Sequence, residues 1–272
     1  MGREARANAL CFPGATGELV SRPGGVHDGD GHGRVILGYP VGGSVTLGFH
    51  AACLQLLGYE LAKPKTIRAL RSIQHSQGLY VADNRTLLAQ RFLNHPARPE
   101  WLLQVDTDIE FPQTLVEDLL RVAGRDRKIL AASVPLGAYP SCGFRRAEEP
   151  GVWQAIWPVP LEPVEVEGLA TAVCLVHREV FETIAAEHGQ CWFHHIYLPE
   201  SPIGTPLRDF KYRSQGEDLA FSVRAARSGF KLWIFHYPGL KHHKSRGLSH
   251  DDERAARLAA EDSGVGELVA EG

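Results

Sequence analysis

The chain has 272 residues, a net charge of −3, and hydrophobic and charged fractions of 44% and 22%, which suit one α/β domain with extensions. No apolar run approaches the roughly 20 residues that cross a bilayer, and the charged start from Met1 to Arg6 leads to no apolar signal segment, so a cytoplasmic protein without a membrane span is expected. Five cysteines without a Cys-x-x-Cys pair argue against a disulfide framework and a zinc ribbon and predict reduced thiols.

The first two thirds of the chain are predicted as an extension followed by alternating strands and helices. Residues 1–33 are rich in glycine and turn formers and show no sustained period, so a flexible or irregular N-terminal extension is predicted there. Strands are predicted at 34–40, 66–74, 101–105 and 128–134, and helices at 46–62, 81–94 and 114–122. Strands that alternate with helices predict a mainly parallel central sheet with helices around it and a ligand site beyond the carboxyl ends of the strands.

The pattern changes after Pro140. Gly, Pro and Trp are frequent up to Pro163, which predicts excursions and antiparallel edge strands, so the sheet is expected to be mixed. The later predicted elements are strands 164–176 and 231–235, helices 178–187 and 217–228, and an irregular stretch at 193–214. From Asp251 onward seven acids face two bases, so we predict one domain over 34–248 and an acidic tail over 249–272.

A glycine turn follows the first predicted strand. Pro40, Val41 and Gly42 lead into the helix that begins near Thr46. Glycine permits close approach of the backbone to a ligand, and a helix N-terminus suits an anion. The turn has neither a Walker lysine nor a GxGxxG spacing, so these three residues are candidate nucleotide contacts on a weak signal.

Asp106-Thr107-Asp108 directly follows the apolar strand at 101–105. Alternation at a strand end sends both carboxylates toward the same edge. Two hard oxygen ligands suit Mg²⁺ or Mn²⁺, which keep positions open for water and diphosphate oxygens. A cap for the next helix is the competing interpretation, but Asp108 lies too far ahead of Thr114 for that. We therefore predict a divalent metal site.

The segment from Leu102 to Pro112 resembles the metal-binding strand of family-2-type GT-A glycosyltransferases, particularly the short ones of phages and bacteria. Three further segments occur in the order of that family. Asp83 to Leu88 resembles the helix start where an arginine commonly helps to hold the nucleotide. Gly168 to Arg178 resembles the strand beneath the donor sugar, although alanines stand where the family usually has glycine. Gly216 to Phe221 resembles the Glu-Asp helix start that supplies the catalytic base of inverting members.

The resemblance implies a GT-A, Rossmann-like fold and metal-dependent transfer of a sugar from a nucleoside diphosphate sugar, with UDP-sugar as the expected donor, to an acceptor hydroxyl with inversion. A phage-encoded enzyme of this kind works in the cytoplasm of the bacterial host. The implied catalytic residues are Asp218 and Glu217; the implied nucleotide contacts are Asp83, Arg85, Asp106, Thr107 and Lys244; the implied ligands of Mn²⁺ or Mg²⁺ are Asp106, Asp108, His242 and His243. Between the two histidines the sequence leaves the choice open, and an exposed basic turn competes with both.

The acceptor also stays open at this stage. A glycan, lipid or protein hydroxyl is one interpretation, and 5-hydroxymethylcytosine in phage DNA is the other, for which the eight bases against two acids between Lys211 and Arg246 offer phosphate contacts. A nucleotidyltransferase and a non-catalytic nucleotide-sugar-binding module are the alternatives from other classes. The run Cys191 to His195 contains zinc-capable side chains but no second ligand pair at finger spacing, so aromatic packing with one buried thiol is favoured there. The sequence predicts no oligomeric state.

Overall fold

The computed structural model describes residues 34–124, 126–135, 143–148, 152–199, 212–243 and 247–249. Within these ranges the helices are α1 Leu47–Ala62, α2 Val81–Leu93, α3 Leu115–Ala123, α4 Arg178–His188 and α5 Glu217–Arg227. The strands are β1 Val35–Val41, β2 Leu70–Gln77, β3 Trp101–Val105, β4 Ile109–Glu110, β5 Ile129–Ala132, β6 Gly143–Arg146, β7 Trp153–Ala155, β8 Val164–Val166, β9 Gly168–Leu169, β10 Val173–His177, β11 Ile196–Pro199, β12 Tyr212–Gln215, β13 Leu232–Phe235, β14 Lys241–His243 and β15 Gly247–Ser249.

The main sheet of the described chain has seven strands in the order β2-β1-β3-β10-β5-β13-β8. Five of them run in the same direction, and β10 and β8 run against their neighbours. The predicted mixed, mainly parallel α/β sheet is therefore confirmed. The strands β1, β2, β3, β5 and β13 all end at one edge, which we call the carboxyl edge.

Helices cover both faces of this sheet. On one face α1 contacts α3, where the Tyr59 hydroxyl donates to Glu117 at 2.8 Å. On the other face α4 lies between α2 and α5, and Phe181 packs against Phe92 and Phe221. Because both faces are covered, a central strand such as β3 is buried along its whole length, which explains why four of its five residues are apolar.

The second strand begins later than its sequence predicts. Residues Lys65–Ile67 form a 3₁₀ turn, and β2 runs over Leu70–Gln77 instead of 66–74. The Glu60 carboxylate at the end of α1 accepts the backbone N–H groups of Ala69 and Leu70 at 2.9 and 3.1 Å. This buried side chain fixes the point at which the strand joins β1.

The predicted strand 164–176 is three strands in two sheets. Of these, β8 pairs with β13, β9 pairs with β6, and β10 lies between β3 and β5. The apolar residues of this stretch do not reveal a change of sheet, because each of the three strands buries at least one of them. The predicted irregular stretch 193–214 likewise contains β11 and most of β12, which pair with each other.

The cysteines behave in two ways. Cys53 and Cys174 are free and buried, in agreement with the expectation of reduced thiols. Cys191 is disulfide-bonded, with a partner outside the described residues, so the expectation of reduced thiols is wrong at this position. A disulfide needs two Cα atoms within about 7 Å, and sequence spacing does not give that distance.

Three predictions fall largely outside the described ranges: the extension at 1–33, the acidic tail at 249–272 apart from Ser249, and Lys244. No helix in the described part of the chain is long and apolar enough to cross a membrane.

Candidate active site

The Asp106-Thr107-Asp108 turn lies at the carboxyl edge, directly after β3. The Thr107 carbonyl accepts both the backbone N–H and the side-chain hydroxyl of Thr46 at 3.0 Å. The Thr107 hydroxyl donates in turn to the Ser44 carbonyl at 3.1 Å. Thr107 thus connects the loop after β1 and the start of α1 to the turn that carries the two aspartates.

Arg85 lies beneath the aspartates and is only 2% exposed. Its Nη2 donates to Asp106 Oδ1 at 2.8 Å and its Nη1 to the Thr171 carbonyl at 3.1 Å, while its Nε lies 3.8 Å from Asp218 Oδ1. Burial lowers the pKa of Arg85, but Asp106 and Asp218 outweigh it and the net pKa is raised. The arginine is therefore a fixed buried cation under two carboxylates.

Asp106 belongs to a group of three carboxylates with Asp108 and Asp218. Burial raises the pKa of Asp106 to about 6; Arg85 opposes this, and the charges of Asp218 and Asp108 add to it. Asp106 thus lies near one arginine and two further carboxylates. A group with this balance of charge attracts a further cation.

Asp218 is held at the first turn of α5. Its Oδ1 accepts a hydrogen bond from the Thr171 hydroxyl, and the same oxygen is the one nearest Arg85. Both Glu217 and Asp218 lie in the first helical turn, where the helix dipole favours carboxylates. Glu217 faces away from Arg85, with its Oε2 3.7 Å from His195 Nε2.

Asp108 faces His242 across the edge of the sheet. His242 Nε2 lies 2.9 Å from Asp108 Oδ2, and its Nδ1 lies 2.9 Å from the Pro135 carbonyl oxygen. A carbonyl only accepts, so Nδ1 carries a hydrogen, and in the neutral ring the lone pair of Nε2 points at the carboxylate. The contact is therefore satisfied either by an imidazolium, whose Nε2–H donates to Asp108, or by a cation beside the two electron pairs.

His243 has a different neighbour from His242. Its Nε2 lies 2.8 Å from Glu110 Oε2, and Lys241 donates to the other oxygen of Glu110 at 2.7 Å. The hydrogen bond from Lys241 is the main cause of the lowered pKa of Glu110. Because side chains alternate along β14, it is the His242 ring that meets the Asp108 carboxylate, while the backbone N–H of His243 donates to the Asp108 carbonyl at 2.7 Å.

The Asp108 and His242 pair fits a divalent ion that is shared with a diphosphate. The described residues contain no group of three or more His, Cys, Asp or Glu side chains arranged for a metal. Mg²⁺ in nucleotide sites usually takes only one or two protein ligands, with phosphate oxygens and water in the other positions. A histidine ligand commonly donates its second ring N–H to a carbonyl, as His242 does to Pro135.

The remaining predicted contacts surround this centre. Asp83 is exposed in the first turn of α2, with its Oδ1 3.7 Å from His194 Nε2. Pro40 and Val41 end β1, and the Val41 carbonyl accepts from the Asn84 side chain at 3.3 Å. Gly42 is exposed directly after the strand. Lys244 lies outside the described residues.

Sequence reasoning missed Thr171 and His195. Thr171 is a single hydroxyl residue inside an apolar run, and nothing in the sequence pairs it with Asp218. The favoured aromatic packing of the run before His195 is confirmed, since Trp192 donates to the Phe181 carbonyl at 2.8 Å and Phe193 stacks on Phe221 at 4.9 Å. The buried thiol expected with it is wrong, because Cys191 is disulfide-bonded. The signal in the sequence was an aromatic pair followed directly by two histidines. The pair is buried, and the second histidine, His195, lies beside Glu217.

The bases between Lys211 and Arg246 do not form one patch within the described ranges. Arg224 is buried and donates to the His194 carbonyl at 2.7 Å. Lys231 pairs with Glu165 at the start of β13, at the edge opposite the aspartates. Lys241 pairs with Glu110. The described part of this surplus therefore gives no continuous surface for phosphates.

Comparisons with known proteins identify no family. No family model and no curated protein matches the chain. Among solved structures it is similar to A197 from STIV, at 18% identity over 80% of this chain and 91% of that one, with a TM-score of 0.47. It is also similar to a glycosyltransferase involved in the glycosylation of the major capsid of PBCV-1, at 14% identity, 54% and 61% coverage and a TM-score of 0.33. A third is 4-diphosphocytidyl-2C-methyl-D-erythritol synthase, at 11% identity, 84% and 98% coverage and a TM-score of 0.38.

Proposed function

We propose that this chain is a metal-dependent inverting glycosyltransferase of the GT-A type, which moves a sugar from a nucleoside diphosphate sugar to an acceptor hydroxyl. The observation that carries the proposal is the contact between Asp108 and His242. The Pro135 carbonyl sets the tautomer of the His242 ring in this contact. It supports a divalent ion at the carboxyl edge, where ligands of open α/β sheets bind.

The carboxylates have separate roles in this reaction. Asp108 and His242 would hold the ion. Asp106 would either be a further ligand or position the nucleotide, and Arg85 orients the Asp106 carboxylate. A divalent ion at this position neutralises charge on the diphosphate leaving group. Arg85, being buried, acts on the nucleotide through Asp106 and not by direct contact.

Asp218 is the proposed general base. Both of its contacts, from Thr171 and Arg85, fall on Oδ1, so Oδ2 takes the proton of the acceptor hydroxyl. The acceptor oxygen then forms its bond to the anomeric carbon, the bond from that carbon to the diphosphate oxygen breaks, and its electrons leave with the diphosphate. Attack opposite the leaving group inverts the anomeric centre.

The test is release of nucleoside diphosphate from a panel of UDP-sugars with Mn²⁺. The wild-type chain should release UDP, and Asp218→Asn should lower kcat by about 10² to 10⁴ with donor affinity kept. Asp108→Asn should lose the response to Mn²⁺. Glu182→Gln, on an exposed side chain of α4, is the control and should behave as wild type.

Other products distinguish the competing functions. Pyrophosphate release from a nucleoside triphosphate would make the chain a nucleotidyltransferase, although the loop after β1 carries no basic side chain between Gly42 and Thr46. Donor binding without any release would make it a binding module. Full Mn²⁺-dependent turnover by Asp108→Asn would refute the metal assignment.

A further inference from the structure

The solvent side of the proposed base is formed by the rim where β12 leads into α5. Strand β11 pairs with β12 in antiparallel register, and Tyr197 lies opposite Ser214. His195 Nδ1 lies 3.3 Å from the Ser214 hydroxyl oxygen, and its Nε2 lies 3.7 Å from Glu217. The Tyr197 ring lies on the same side as His195, with ring centres 6.1 Å apart.

Exposure is lower at the two carboxylates of this rim than at its two rings. The side chains of Asp218 and Glu217 are 26% and 21% exposed, that of His195 is 39% exposed, and Tyr197 as a residue is 60% exposed. An acceptor whose hydroxyl reaches Asp218 can therefore extend outward past Glu217 and His195 toward the tyrosine ring.

The chemistry of this rim suits a sugar ring. Pyranose rings present apolar C–H faces that pack on an aromatic ring, and tyrosine offers such a face with a polar tip. Their equatorial hydroxyls donate to a carboxylate and accept from an imidazole N–H, which Glu217 and His195 supply side by side. A lipid acceptor would need a longer apolar surface than one exposed ring.

Charge at the carboxyl edge disfavours a polyanionic acceptor. The carboxylates that the described residues bring there are Asp83, Asp106, Asp108, Glu110, Glu217 and Asp218, and the cations are Arg85 and Lys241. DNA carries one negative charge for about every 1.7 Å of its axis and binds where cations replace its counterions. The described part of this edge is acidic and does not favour DNA.

We propose that the acceptor is a neutral carbohydrate whose ring packs on Tyr197 and whose neighbouring hydroxyl bonds to Glu217 and His195. This assignment rests on the proposed glycosyl transfer and names its acceptor class. Tyr197 and His195 are then specificity residues for the acceptor, with no contact to the donor.

The experiment compares wild type with Tyr197→Phe and Tyr197→Ala, with Leu54→Ala as the control at an exposed position on α1. UDP release from the donor is measured without acceptor, with neutral p-nitrophenyl glycosides, and with DNA that contains 5-hydroxymethylcytosine. Mass spectrometry identifies the products. Circular dichroism checks that every variant is folded.

Neutral glycosides should accelerate UDP release by wild type, and Tyr197→Ala should raise the acceptor KM by about tenfold while donor hydrolysis without acceptor stays unchanged. Tyr197→Phe, which keeps the ring, and Leu54→Ala should match wild type. Transfer to the modified DNA but to no neutral glycoside, or an unchanged KM in Tyr197→Ala, would overturn the acceptor assignment and leave glycosyl transfer intact. No UDP release under any condition would overturn both.

Discussion

The hydrogen on Nδ1 of His242 determines that the other ring nitrogen, Nε2, meets the Asp108 carboxylate. The Pro135 carbonyl requires that hydrogen on Nδ1, so Nε2 meets the carboxylate as a lone pair or as an imidazolium. His243, the next residue, meets Glu110. The two histidines are adjacent in sequence, yet their rings contact different carboxylates, Asp108 and Glu110.

The proposed metal site predicts that the two histidines differ in metal binding. His242→Ala should weaken Mn²⁺ binding in the presence of UDP by about 10 to 100-fold, because it removes a ligand that is already oriented. His243→Ala, the matched control, should bind Mn²⁺ within about twofold of wild type. Isothermal titration of the two variants measures this. Equal losses in both would count against His242 as the ligand.

At the scale of elements, one buried carboxylate joins α1 to the first residues of β2. Glu60 accepts two backbone N–H groups, from Ala69 and Leu70, and its other oxygen accepts from Lys63 at 2.6 Å. Backbone donors that are buried without a partner are costly, so this carboxylate sets where the strand begins.

Glu60→Ala should lower the free energy of unfolding by about 2 to 4 kcal/mol, since each buried N–H that loses its partner costs about 1 to 3 kcal/mol. Glu182→Ala removes an exposed carboxylate that pairs with Arg98 and should change stability by less than about 0.5 kcal/mol. Urea unfolding at neutral pH measures both. A loss below about 1 kcal/mol in Glu60→Ala would contradict the anchoring role.

At the scale of the whole molecule, polar contacts join the two helices that cover one face of the sheet. Glu117 of α3 accepts from Lys63, which directly follows α1, and from Tyr59 of α1. The hydrogen bond from Lys63 is the largest cause of the lowered pKa of Glu117, followed by that from Tyr59. Protonation of Glu117 therefore weakens the contact between α3 and the C-terminal end of α1.

A carboxylate with a lower pKa in the folded state stabilises the fold above its unfolded pKa of about 4.3, and that stability is lost as the pH falls through the folded value. Glu117→Gln should therefore be less stable than wild type at pH 7, and the difference should shrink below about pH 4. Urea unfolding across pH 3 to 7 tests this. A difference that does not change with pH would argue against the ionised contact.

The local pattern of the chain was sufficient for most of the architecture. Hydrophobic period and turn residues predicted the alternating strands and helices, and the position of Asp106 after a buried strand predicted carboxylates at the carboxyl edge, because these features depend on neighbours a few residues apart. The break of 164–176 into three strands and the start of β2 at Leu70 were missed, since a change of sheet and a remote carboxylate leave no periodic signal.

The sequence by itself determined the α/β class, the acidic turn after β3 and the helix that begins at Glu217. Only the tertiary structure decided that His242 and not His243 faces Asp108, a contact across 134 residues, and that Arg85 lies beneath Asp106, 21 residues away. It also decided that Thr171 bonds to Asp218. The physical reason is the same in each case: periodicity records which face of an element is buried, whereas a polar contact depends on where two distant elements cross.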